Sequence, residues 1–117
     1  MQYNKLGKSE LEISEIGLGA MSLVQGHDET NSYIIKHAQE LGINYLDTSD
    51  LYDKGKNEEL IGRMIEGNRD KWILASKVGN KWKEDGSGWD WAPSKAYILK
   101  SIDQSLSRLK TDYLDLY

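Results

Sequence analysis

Apolar positions along the chain change period several times, and each change marks an element. Tyr3 to Leu6 and Leu11 to Ser14 alternate apolar and polar residues on either side of Gly7-Lys8-Ser9-Glu10, the pattern of a β-hairpin. Ile16-Gly17-Leu18-Gly19-Ala20-Met21 is apolar and glycine-rich, suited to a buried strand running into a tight turn. From there strands and helices alternate. Asp28 or Thr30 is placed to cap a helix with Ile34, Ala38 and Leu41 on one face, and Gly42 is placed to end it. Ile43-Asn44-Tyr45-Leu46 reads as a strand. Asn57 is placed to cap a second helix with Leu60, Ile61, Met64 and Ile65 inward, closed by Gly67 ahead of a strand over Trp72-Ile73-Leu74-Ala75-Ser76. Pro93 or Ser94 opens a third helix whose Ile98, Ile102, Leu106 and Leu109 make a stripe, with Arg108 and Lys110 favourably placed at its C-terminal end.

Short apolar strands alternating with amphipathic helices predict an α/β fold of βα units on a parallel sheet, and continuous apolar strands predict burial on both faces. No interdomain linker, low-complexity tract or further repeat interrupts this order, so residues 1–117 are read as one domain. The segment from Val78 to Ala92 is the outlier: a long loop holding Gly79, Gly86 and Gly88 with Trp82, Trp89 and Trp91. Loops of that length are usually functional or disordered, and three tryptophans argue against disorder.

Composition narrows the classes. With 117 residues there is room for one domain with a core and not for two. A net charge of −4 argues against a phosphate-backbone binder, which carries a basic excess, so nucleic acid is not an expected partner. The absence of cysteine removes disulfides, thiolate nucleophiles and thiolate metal ligands, and no metal site is predicted. Met1-Gln2-Tyr3-Asn4-Lys5 leads into polar sequence without an apolar core of a leader, and no long apolar run follows. A soluble cytoplasmic protein away from membranes is the reading.

Candidate chemistry gathers at Asp47, Tyr52 and Lys77, just past the ends of two predicted strands, where α/β proteins keep their sites. One strand supplies a carboxylate and a phenol, and the next supplies a cation. A phenol that must release a proton needs a nearby cation, and an inward lysine needs a carboxylate to hold it charged. Taken singly, Asp47 reads as a turn-bonding aspartate, Tyr52 as a packing tyrosine and Lys77 as a solvated lysine. Their joint occurrence favours a site. Gly17-Leu18-Gly19 is too short for a dinucleotide fingerprint, and no lysine-bearing phosphate loop occurs. His27, in the loop before the first helix, and His37, in its body, read as surface histidines, with ligand contact the lesser alternative for His27 because its loop lies at the catalytic end.

The words around these residues are specific: Gly42-Ile43-Asn44-Tyr45-Leu46-Asp47-Thr48-Ser49-Asp50-Leu51-Tyr52, Asn57-Glu58-Glu59-Leu60-Ile61-Gly62, Ser76-Lys77-Val78-Gly79, and the run from Ser101 to Tyr117. Together they resemble the aldo-keto reductase superfamily. The resemblance implies an N-terminal hairpin followed by a parallel (β/α)8 TIM barrel of about 250 residues, of which this chain would be the first, incomplete part. It implies an NADPH-dependent oxidoreductase reducing small aldehydes or ketones by hydride transfer. Tyr52 would then protonate the alkoxide, Lys77 would stabilise the phenolate, and Asp47 would pair with Lys77 and reach the nicotinamide ribose. An unaided phenol, with a reference pKa near ~10, is a poor acid at neutral pH. Gly19, Ala20 and Met21 would grip the nicotinamide, or else pack a strand end. Of the three tryptophans, which would line a pocket or pack the loop onto the barrel rim, Trp82 is the one expected to join Tyr52 against substrate.

The family's catalytic histidine and most of its contacts to the cofactor phosphates cannot be assigned here. Ile43, Asn44 and the lengthened segment between Ser49 and Glu58 depart from the commonest family spelling and resemble the branch of bacterial general-stress reductases and potassium-channel β subunits. Tyr113-Leu114-Asp115-Leu116-Tyr117 reads as a half-formed strand, unlike most natural termini. The chain is therefore expected to be an N-terminal fragment, inactive alone. Two alternatives stand beside the enzyme: a non-catalytic nucleotide- or partner-binding module on the same fold, and a half-barrel that self-associates through exposed sheet edges.

Overall fold

The N-terminal alternation folds into β1 (Tyr3–Lys5) and β2 (Glu12–Ser14), an antiparallel hairpin with Tyr3 opposite Ser14. The computed structural model, which describes residues 1–117, continues with β3 (Leu18–Gly19), α1 (Asp28–Glu40), β4 (Tyr45–Asp47), α2 (Lys56–Met64), β5 (Ile73–Ala75), β6 (Asn80–Trp82), β7 (Trp89–Trp91) and α3 (Lys95–Leu109). β3, β4 and β5 lie side by side in that order, all parallel, with Gly19 beside Asp47 and Asp47 beside Ala75. Beyond α3 the chain returns to the sheet, where Leu116 bridges Ala75 in parallel. This is the half-formed strand expected there.

Strand alternation sorts the two faces. Leu46 and Leu74 are neighbours in register, have no exposed surface, and pack against Ile35 and Ala38 of α1, Leu60 and Ile61 of α2, Ile65 just past its end, and Leu109 of α3. Burying each such side chain stabilises the fold by roughly 1.5–3 kcal/mol. Tyr45, Asp47 and Ala75 line an open cleft of about 450 Å³ on the other face. Burial on both faces was the expectation. Helices close only one face, so the other borders the cleft.

Local chemistry moves several boundaries. Neither Asp28 nor Thr30 caps α1; His27 precedes it with no side-chain cap, and the buried stripe is Asn31, Ile35 and Ala38. Ala38 is common to the expected and observed stripes, but Asn31 and Ile35 are buried where Ile34 is only partly so and Leu41 is exposed; the Asn31 amide donates to the Val24 carbonyl at 2.8 Å. Gly42 ends the turn at φ +86° as its residue type requires. Asn57 is likewise no cap but a buried staple: it accepts from the Thr48 hydroxyl at 2.6 Å and donates to the carbonyls of Ala20 and Leu23, both at 2.8 Å. The Val78 to Ala92 loop contains a hairpin, β6 against β7, with Trp82 opposite Trp89. Ser94 caps α3, its hydroxyl accepting from the Tyr97 amide. The face α3 buries is Ser101, Ser105 and Leu109, with Ile98, Ile102 and Leu106 flanking it. Small residues permit close approach there: a Cβ on Gly62 of α2 would lie 2.6 Å from the Arg108 carbonyl oxygen. No helix is long and apolar enough to cross a membrane.

Candidate active site

Parallel strands in register carry their C-terminal residues to one edge. Asp47 closes β4, Lys77 stands two residues past β5, and Tyr52 opens a 3-10 turn, Tyr52–Gly55, that leads into α2. Lys77 Nζ donates to Asp47 Oδ2 at 2.6 Å and to the Thr48 carbonyl at 2.8 Å, and lies 3.3 Å from the Tyr52 hydroxyl. The trio is thus assembled around one ammonium group. Burial pulls the Lys77 pKa down, but hydrogen bonds and charge from Asp47 and Tyr52 outweigh it and set it above the ordinary lysine value. The group is held as a cation. Its side chain is 48% exposed, so the site opens to solvent and ligand.

Gly19 pairs directly with Asp47, and a Cβ on it would meet nothing within 4 Å, so that strand end presents bare backbone beside the carboxylate. Met21 is exposed. Ala20 differs from both: it is fully buried, its amide donates to the Asp47 carbonyl, and its own carbonyl accepts from Leu23 and Asn57. Trp82 donates from Nε1 to the Leu51 carbonyl at 3.1 Å, and Lys54 stands over its ring. That places Trp82 against the turn that carries Tyr52. Trp89 and Trp91 are exposed and meet edge to face, and His37 stacks on Tyr33 of the outer helix surface. His27 precedes α1 and is exposed.

A carboxylate, a phenol and an ammonium at the C-terminal edge of a parallel βα sheet is an acid–base arrangement, and comparison with known proteins identifies its lineage. The sequence profile described as the aldo/keto reductase family matches residues 15–117. The chain belongs to the aldo/keto reductase family. It is 56% identical over its whole length to the uncharacterized oxidoreductase YqkF of Bacillus subtilis (strain 168), covering 38% of that protein. Among solved structures it matches all of its length to 39% of aldo-keto reductase AKR11C1 from Bacillus halodurans in its holo form, at 49% identity and a TM-score of 0.93. An aldo-keto reductase from Klebsiella pneumoniae in complex with NADPH matches 91% of the chain to 34% of its own, at 28% identity and a TM-score of 0.73. The chain therefore spans little more than a third of the length of these relatives, and its hairpin and βα units are part of a TIM barrel.

The chain also holds groups that motif reading passes over. Glu58 of α2 is completely buried. Its Oε1 accepts from the Ser76 hydroxyl at 2.5 Å, and its Oε2 accepts from Arg108 Nε and Nη2, both at 2.7 Å, and from the Ser105 hydroxyl at 3.2 Å. The signal was present in the sequence, since Glu58 shares the inward helical register of Ile61 and Ile65. Close by, burial and then the Glu58 charge push the Asp50 carboxyl up to about 6, against opposing pulls from Arg108 and local hydrogen bonds. Burial drives the Tyr117 phenol up to about 12, reinforced by Asp50 and Glu58 and opposed by Ser105 and Arg108. Tyr45, on the cleft wall, is also raised, by burial first and Asp47 second, with Lys77 opposing. It is a poorer proton donor for that reason.

Proposed function

We propose that the protein is an NADPH-dependent reductase of small aldehydes and ketones, with Tyr52 as the general acid, Lys77 and Asp47 as its electrostatic support, and the cytoplasm as its place of work. The observation that carries this reading is the single ammonium of Lys77 bonded to Asp47 and facing the Tyr52 hydroxyl at 3.3 Å. A bound reduced nicotinamide supplies the hydride for this chemistry. The residues present suit its ring end, since Gly19 offers open backbone next to Asp47, Met21 adds an exposed apolar surface, and the cleft at Tyr45, Asp47 and Lys77 is open. As the carbonyl carbon gains hydride and the C=O π bond breaks, the Tyr52 O–H bond breaks and the proton passes to the carbonyl oxygen. The phenolate left on Tyr52 faces Lys77, whose raised pKa keeps it cationic. Trp82, fixed against the Tyr52 turn, forms an aromatic wall for substrate.

The test is Tyr52→Phe in the protein carrying the complete barrel. Its turnover is expected to fall by roughly 10²–10⁴-fold, the usual worth of general acid catalysis, with NADPH binding, followed by fluorescence, unchanged. Turnover close to that of the parent would show that another group is the acid.

A further inference from the structure

We infer that the buried Glu58–Arg108 pair is a clamp that positions Tyr52 against Lys77, a positioning role that rests on the reading of Tyr52 as the acid. The need for a clamp follows from the backbone. Immediately after Tyr52 come three successive residues with left-handed φ: Asp53 at 47°, Lys54 at 55° and Gly55 at 88°. Only the third is glycine. Non-glycine residues in that region are unfavourable and persist where surrounding structure over-determines them, characteristically at functional sites.

Glu58 and Arg108 supply that determination from three directions. Glu58 is six residues past Tyr52 on the helix that the strained turn leads into, and its Oε1 is bonded to Ser76, the residue directly before Lys77. One carboxylate therefore joins the element bearing the phenol to the strand end bearing the cation. Arg108 comes from α3, and its side chain lies against the turn itself: a Cβ on Gly55 would sit 2.8 Å from its Nε and 2.9 Å from its Cδ. The guanidinium then reaches Glu58 Oε2 through Nε and Nη2, and Nη2 also donates to Ser105 at 3.3 Å. The charged and titratable groups around the pair are Asp50 from the β4–α2 connection and Tyr117 from the chain's last segment, while Lys77 and Asp47 face Tyr52 from the two strand ends. A buried ion pair is weak evidence of stability and is better explained by what it specifies. Here it specifies the turn.

The experiment uses the protein with its complete barrel and the double variant Glu58→Gln/Arg108→Met, which removes both charges together and so leaves neither buried alone. The expected result is an unchanged NADPH affinity, a kcat lower by about 10²-fold, the scale of an ångström-level misplacement, a larger primary deuterium isotope effect on kcat, and faster hydrogen exchange at the Tyr52 and Lys54 amides. Arg108→Lys, which keeps a cation for Glu58 but removes the guanidinium that lies against Gly55, is expected to give the same split and serves if the double variant does not fold. Arg69→Met breaks the other well-buried ion pair, to Asp115, and is expected to lower Tm while leaving kcat and the two amides as they were. Parental protection at those amides in both clamp variants overturns the clamp, whatever turnover does. Lost protection with parental kcat and isotope effect overturns its link to catalysis. Should Tyr52→Phe keep its turnover, the acid assignment fails separately, and the exchange measurement still decides the clamp.

Discussion

Asp50 sits half-buried between a glutamate and an arginine, and its carboxyl is lifted to about 6 from an ordinary 3.8. The folded protein therefore holds this proton more tightly than the unfolded chain does. The sign follows: the associated stability is fully present below pH 4 and is lost as pH rises through about 6. Asp50→Asn is accordingly expected to raise stability at pH 7–8, by on the order of 1 kcal/mol once screening around a half-exposed group is discounted, and to give no gain below pH 4. Thermal melts across that range check it. Lys77 shows the opposite separation of roles. Its ion pair with Asp47 is partly exposed, so Lys77→Met is expected to change unfolding stability by no more than about 1 kcal/mol. Carbonyl reduction, by contrast, is expected to fall as far as for Tyr52→Phe, and a paired melt and turnover assay reads both.

Between α2 and α3 the decisive residue has no side chain. A methyl on Gly62 would press on the Arg108 carbonyl at 2.6 Å and the Leu109 backbone at 2.7 Å, and neither atom is the end of a flexible side chain. Gly62→Ala is therefore expected to destabilise the protein by about 1–3 kcal/mol, the range for overpacking a tight core, despite alanine's better helix propensity. Urea unfolding at constant m-value would measure it. The same interface explains which elements were legible in the sequence. α2 was readable because Leu60, Ile61 and Ile65 keep strict period, and the trio was readable because strand ends in βα units have a fixed place. Asn57 reads as a cap, but its side chain serves two carbonyls 34 and 37 residues away, a partner set that no local pattern encodes. α3 reads through Ile98, Ile102, Leu106 and Leu109, of which Leu109 is buried as expected, whereas the other two buried positions are Ser101 and Ser105, the latter bonded to the Glu58 carboxylate. The β6–β7 hairpin reads as a loop in the sequence because its turn glycines outweigh two short aromatic strands.

At the scale of the whole molecule the parallel sheet is open. β3 forms one margin, the single Leu116 bridge forms the other, and Leu116 and Tyr117 keep 42% and 39% of their surface exposed beside the cleft. Open margins with apolar neighbours invite pairing with another chain. The 117-residue chain alone is thus proposed to self-associate and to lack turnover, and sedimentation velocity over a range of concentrations is expected to show species heavier than 13.3 kDa. A monodisperse monomer that oxidises NADPH with an aldehyde would overturn both statements. The spacing of contacts along the chain has a temporal meaning as well. Tyr52 and Lys77 are 25 residues apart and Asp47 and Lys77 are 30 apart, so the trio's parts are all available once the ribosome has released residue 77. Arg108 follows about thirty residues later, which at roughly 5–20 residues per second is a delay of about 2–6 seconds. During that interval the Tyr52 segment has no Arg108 to lie across it, so a nascent chain is expected to hold the Tyr52 phenol loosely at first and to have it locked from behind only afterwards.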